Sequence, residues 1–323
     1  MRILAVPGCG GTRDIMSGDV DSKIAMLVSM GFGRDQSALS LKTCGGNVER
    51  AIDSLLSGAA GVANAVGNNA NDNHIITDCI HCEISQYSDA SQGRSACTAI
   101  ALVMASKLLN AITSTNNNYP EGLIDSEFLS SSIKDGIGLH TALVGNRKSD
   151  DGVEHTSVEE ILHLFENDNS SSSNSGDGTF KQILSLLEQT DEPQQGILSS
   201  KSDHPFGLEA ILYSCQDKHS YIAVVITKPP ETVLVLLPPH FTSPTYILLD
   251  SHPRTSLISP HYPSGSYALI HSTLSDLVAS LKQIFPVTEL GDDVAEMFTM
   301  MYNSFDVYQF KCRHDESKCT DKA

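Results

Sequence analysis

Basic residues are scarce in this chain of 323 residues: 21 Lys and Arg stand against 39 Asp and Glu, a formal net charge of −18. A surface this acidic repels phosphate backbones and anionic lipid head groups, so nucleic acid and membrane are poor partners. It favours a neutral or basic protein partner instead. Long apolar runs are missing too, and no stretch is expected to span a membrane, which takes about 20 residues. The opening run Met1-Arg2-Ile3-Leu4-Ala5-Val6-Pro7 is too short for a signal peptide. The 8 cysteines are scattered and form no secreted disulfide framework. They point to a reducing, intracellular compartment, cytoplasm or nucleus, where a thiol persists. No Gly-rich phosphate loop and no G-x-S-x-G elbow occurs, so the sequence lacks the signatures of nucleotide binding and of that serine-hydrolase chemistry. Cys79-Ile80-His81-Cys82 has a metal-like spacing, and Cys312, His314 and Cys319 lie near the end. A second C-x2-C is absent, so no metal site is expected. Neither is any cofactor, and the chain is expected to be monomeric.

What is present begins with a small unit at residues 20–58. Ile24, Leu27 and Val28 share a helical face, and Met30-Gly31-Phe32 breaks that helix. Ala38, Leu39 and Leu41 continue in a second amphipathic stretch. Gly45-Gly46-Asn47 stops it, and Val48, Ala51, Ile52, Leu55 and Leu56 line a third helix. Met30-Gly31-Phe32, the run Gly46 to Ala51 and the closing Leu55-Leu56 resemble the ubiquitin-associated (UBA) domain over the whole segment. The resemblance implies an apolar patch of Met30, Gly31, Phe32 and Leu56 that docks on ubiquitin, with polyubiquitin chains as a partner. The same side chains also serve to close a tiny core.

Residues 59–74 are small and polar and read as a flexible linker after an N-terminal segment, 1–19. A larger domain is expected over 75–312, followed by a tail, 313–323. Residues 167–178, rich in Ser, Asn, Asp and Gly, read as a surface insert within it. Its periodicity predicts a short strand in 75–85 and a helix over 96–109 that is apolar nearly all round, hence buried. Further helices are expected at 124–143, 158–165, 180–187 and 274–284. Strands are expected at 220–227 and 232–237, a hairpin joined by Lys228-Pro229-Pro230-Glu231, and at 246–250, 266–270 and 305–310. Helices first and an antiparallel sheet after them make an α+β domain, an order that resembles papain-like hydrolases.

Two distant segments carry the chemistry. Cys97 opens the apolar helix, and the strand Tyr246-Ile247-Leu248-Leu249-Asp250 runs on into Ser251-His252-Pro253-Arg254. Side chains alternate along a strand with a period of two, which predicts that Asp250 and His252 project to one side. A carboxylate that orients an imidazole beside a thiol is the equipment of a cysteine hydrolase. Taken one at a time, the same residues read as a buried cysteine capping a helix and a proline-terminated turn.

The order Cys, then Asp-x-His, with a glutamine upstream, resembles the viral tegument-like deubiquitinases, around residues 84–109 and 219–285. The resemblance implies a papain-like fold and cleavage of the isopeptide bond after the C-terminal glycine of ubiquitin. It makes Cys97 the nucleophile, His252 the general base and acid, and Asp250 its orienting group. Gln86 is favoured as the oxyanion donor, with Gln92 at the papain-type spacing as the alternative. The rival readings are a non-catalytic ubiquitin-binding adaptor and a protease for another ubiquitin-like modifier.

Overall fold

A computed structural model of the chain describes residues 17–29, 34–43, 48, 51, 78–88, 95–115, 122–145, 156–167, 177–198, 204–240, 245–254, 265–290 and 295–313. The chain divides into two compact units, Met1–Asp72 and Asn73–Ala323.

In the first unit, helices α1 (Ser17–Ser29) and α2 (Arg34–Thr43) bury Ile24, Leu27 and Leu41 against Ala51. Ser40 ties the second helix to the third by donating to the Ala51 carbonyl at 2.9 Å. Val28 and Leu39, expected on the apolar faces, are exposed instead. A core of this size has room for one or two residues from each helix.

In the second unit the chain runs β1 (Asp78–Cys82), α3 (Cys97–Ser114), α4 (Ser126–Gly145), α5 (Val158–Asn167), α6 (Asp177–Ser185), β2 (Leu187–Gln189), β3 (Gln194–Ile197), α7 (Leu208–Cys215), β4 (Ile222–Lys228), β5 (Glu231–Leu237), β6 (Tyr246–Asp250), β7 (Ser266–His271), α8 (Leu274–Ile284), α9 (Glu296–Tyr302) and β8 (Ser304–Cys312). This is a mixed helical and antiparallel-sheet fold. The strand order is β1-β7-β6-β5-β4-β8-β2, with β3 also paired to β8, and every pairing is antiparallel. The Pro229-Pro230 turn joins β4 to β5, as the two β-branched runs predicted.

Both faces of the central strands are covered, which is why β5 reads as a continuous apolar run. Ala223, Val225, Leu234, Leu236, Ile247 and Leu249 point into a core shared with α3 and the helices around it. Val224, Val235, Leu248, Tyr267 and Leu269 point the other way, against α7 and α8.

Several elements were not legible as periodic runs. The short strands β2 and β3 and the helices α7 and α9 had no expectation, and Leu187, assigned to a helix, opens β2. Of the expected 167–178 insert, Asn167 belongs to α5 and Asp177 opens α6, and residues 168–176 lie outside the described residues. Contrary to expectation, one helix among the described residues, α3, is long and apolar enough to cross a membrane, with a mean hydropathy of 1.4 over 18 residues. Thirteen of its residues are buried within the domain, from Cys97 and Thr98 through Ile112. Its all-round apolarity therefore follows from its place as the central helix.

Candidate active site

The start of α3 is held by packing and by hydroxyl groups. Gly136 of α4 lies so close that a Cβ there would come within 2.5 Å of the Ile100 Cα. Only a glycine permits that crossing, and it sets the first turn of α3 against its neighbour. From the other side, Thr98 Oγ1 meets Thr232 Oγ1 at 3.1 Å, and Thr232 Oγ1 meets Thr227 Oγ1 at 3.1 Å. These contacts fix Cys97 against the β4–β5 turn, with Sγ 3.7 Å from the Pro230 carbonyl oxygen. No side chain caps the helix at Ala96, and the first-turn N–H groups of a helix have no intrahelical acceptor.

Asp250 ends β6 and pairs in register with Tyr267, on the face of α7 and α8. The strand stops there, so His252 is not placed by strand alternation. An Asx turn brings it back instead: the His252 backbone N–H donates to Asp250 Oδ1 at 2.9 Å, and His252 Nδ1 lies 2.6 Å from the same oxygen. The expectation that the two side chains meet holds, but through a turn. The Cys97 side chain also interacts with the His252 ring and raises its pKa. With Nδ1 committed to Asp250, Nε2 is the ring nitrogen left to serve the sulfur.

Both members of the pair are almost completely buried, at 1% and 3% exposure. Burial disfavours the Asp250 carboxylate, but the Arg254 and His252 charges and the hydrogen bonds outweigh it and hold the group well below the ordinary value. For His252, burial favours the neutral ring. The Asp250 charge, the hydrogen bond to it and the Cys97 side chain prevail, and its pKa rises well above 6.5. The pair is therefore a carboxylate and an imidazolium in the folded protein.

Gln86 follows β1 by four residues and is buried, at 1% exposure. Its backbone N–H donates to the Ser251 carbonyl at 3.1 Å, and its Oε1 accepts the Ser251 hydroxyl at 3.0 Å. The structure therefore clamps Gln86 to the residue between Asp250 and His252. Gln92 lies outside the described residues, as do Met30, Gly31, Phe32 and Leu56.

Sequence reasoning missed the second half of this network. Arg254 donates from Nε to Asp250 Oδ2 at 2.9 Å, and from Nη1 and Nη2 to the two Glu231 oxygens at 3.2 and 2.8 Å. Tyr267 Oη donates to Asp250 Oδ2 at 3.1 Å. The Tyr87 ring packs edge-on to the His252 ring, with centroids 5.9 Å apart. One signal was available: an arginine two residues beyond Asp-x-His sits four from the aspartate. Glu231 and Tyr267 carried none, because only strand pairing brings them here.

Among the described residues no group of metal-ligating side chains converges. Cys79 and Cys82 sit on β1, and Cys312 on β8, with four strands between them. That is roughly 24 Å, too far to share an ion. His314 and Cys319 lie outside the described residues.

The two units also differ in what they resemble. Residues 20–55 match the UBA/TS-N domain. The small core of Ile24, Leu27, Leu41 and Ala51 belongs to this UBA domain. No curated protein matches the chain. Among solved structures, a similar one is the ubiquitin-specific protease encoded by the murine cytomegalovirus tegument protein M48, in complex with a ubiquitin-based suicide substrate. Identity is 11%, coverage is 74% of this chain and 88% of that one, and the TM-score is 0.46. A likeness at that level says nothing about chemistry, which rests on the side chains.

Proposed function

We propose that the chain is a cysteine-type deubiquitinase, with a papain-like catalytic domain and a UBA domain that holds ubiquitin chains. The observation that carries the reading is the buried Asp250–His252 pair, with Cys97 interacting with the His252 ring from the start of α3. A buried carboxylate and imidazolium beside a thiol amount to an activated nucleophile with its base and orienting group. A structural cysteine has no need of them. The UBA domain supplies the substrate class.

In this reading the proton of the Cys97 thiol already resides on His252 Nε2, which makes that ring the imidazolium, and the thiolate attacks the carbonyl carbon after the last glycine of ubiquitin. The developing oxyanion is met by the Gln86 amide and the Cys97 backbone N–H. The tetrahedral intermediate collapses, the carbon–nitrogen bond breaks, and the leaving amine takes the proton from the imidazolium. Water, deprotonated by His252, then attacks the thioester and releases the ubiquitin carboxylate and the Cys97 thiol. Asp250 keeps Nδ1 occupied throughout, so that Nε2 alone exchanges protons. The Ser251 hydroxyl, by occupying Gln86 Oε1, turns the NH₂ end of that amide to the donor role.

The test is a ubiquitin carrying a C-terminal electrophile. It should form a covalent adduct with the full chain that Cys97→Ala abolishes. Adduct formation that persists in Cys97→Ala would sink the assignment.

A further inference from the structure

Helix α9 exposes apolar side chains on a scale found nowhere else among the described residues of this unit. None of its seven residues is buried. Met297 is 65% exposed and Met301 63%, with Phe298, Met300 and Tyr302 between 43% and 50%. Val287 extends the patch at 38%. A contiguous apolar surface of this kind marks an interaction site more often than chance, and methionine adapts its shape to a partner.

Polar bonds anchor the C-terminal end of the helix. Asn303, buried just after it, donates from Nδ2 to the Thr288 and Thr299 carbonyls and accepts the Thr288 N–H at 2.7 Å. The Asn303 carbonyl also accepts the Leu198 N–H. The apolar side chains are thus held outward on a fixed base.

Strand order puts this base on the rim that carries the candidate active site. Glu231 opens β5, Asp250 ends β6 and Ser304 opens β8. Asp306 pairs with Thr227, so the Asn303–Ser304 junction reaches the level of the Pro229-Pro230 turn, whose Pro230 carbonyl touches Cys97. Two strand spacings separate them laterally, on the order of 10 Å. An extended tail of three residues covers about that distance. A folded protein that threads its C-terminus to Cys97 therefore brings its body within reach of α9.

We propose that α9 is a docking surface for the body of the ubiquitin whose C-terminus enters the active site, a proposal that rests on the deubiquitinase reading above. Glu289 and Glu296, both exposed, and Asp306 border the apolar side chains. The matching face on the partner is apolar and edged with basic side chains, in keeping with the net charge of −18.

The experiment compares two rates on the full chain and on Met297→Ser/Met301→Ser. One is adduct formation with the ubiquitin C-terminal electrophile, and the other is alkylation of Cys97 by iodoacetamide. Because Met297 and Met301 are 65% and 63% exposed, the variant is expected to fold. Its adduct formation should slow tenfold or more, with alkylation unchanged, and Met301→Leu should restore most of the rate. Equal adduct rates in the two chains would overturn the α9 proposal and leave the deubiquitinase reading standing. Equal losses in both reactions would make α9 a structural element and also overturn it. A wild-type chain that is alkylated but forms no ubiquitin adduct would overturn the deubiquitinase reading itself, and α9 docking with it. Sedimentation that shows a dimer lost in the variant, with adduct formation unaffected, would assign the face to a second copy.

Discussion

Asp250 divides its two oxygens between two sets of partners. Oδ1 serves the His252 ring and backbone N–H, and Oδ2 serves Arg254 and Tyr267. The Asp250 pKa is held below 3.8, so its contribution to stability is complete above that value and is lost as pH falls through the folded-state value. His252 is raised above 6.5, so its contribution is complete below that value and is lost as pH rises through the folded-state value. The stability difference between wild type and Asp250→Asn, read by urea unfolding, should be largest between 3.8 and 6.5 and shrink on either side. Asp250→Asn should also move the alkaline limb of kcat/KM to lower pH, because burial without the carboxylate favours the neutral ring. His252→Ala should cost more than Asp250→Asn, by about tenfold or more in kcat, since it removes proton transfer itself. Wild-type rates in His252→Ala would transfer the role to another histidine. Arg254→Met strands the buried Glu231 carboxylate and strips Asp250 of one of its two cationic partners, and should lower the unfolding free energy by about 3–5 kcal/mol. A loss under about 1 kcal/mol would mean that Glu231 and Asp250 find other partners.

At the scale of elements, the proposed activity depends on where α3 begins. A Cβ at Gly136 meets backbone atoms of Ile100, whereas one at Gly138 meets only the Phe180 ring tip at 3.2 Å. Gly136→Ala should therefore cost roughly 1–3 kcal/mol and slow adduct formation, while Gly138→Ala does neither to that degree. Equal effects would show that the α3–α4 crossing does not position Cys97. The turn that follows β1 supplies Gln86, and its grip on Ser251 makes the oxyanion assignment testable. Gln86→Ala should lose about a hundredfold in kcat, and Gln92→Ala less. The reverse order would move the donor to Gln92.

At the scale of the whole molecule, the proposed function has the UBA domain act by binding. A tethered binder raises the local concentration of a multi-site substrate and adds little for a single-site one. Changing Met30 and Phe32 to aspartate in the full chain should slow cleavage of ubiquitin chains and leave a small reporter on a single ubiquitin nearly unchanged. Equal losses on both substrates would require the UBA domain to contact the catalytic unit directly.

Local pattern carried much of this protein. Apolar periodicity marked α3, the β4–β5 hairpin and β6, because burial on both faces of a central element leaves continuous apolar runs. Spacing alone was enough to pair Asp250 with His252, two residues apart in any extended or turned chain, and to mark the UBA segment. Short or exposed elements escaped it: β2 and β3 gain their stability from pairing with β8, and α9 has no apolar face turned inward. Only the tertiary structure brought Glu231 and Tyr267 to Asp250, since each arrives on a different strand, and only it joined Gln86 to Ser251 across 165 residues of sequence. It also replaced strand alternation by an Asx turn as the device that orients the histidine, because β6 ends at Asp250 and a backbone N–H two residues on was free to close on its carboxylate. Sequence fixes which residues can do chemistry. Their protonation and aim were decided by burial and by partners that pairing between distant strands supplies.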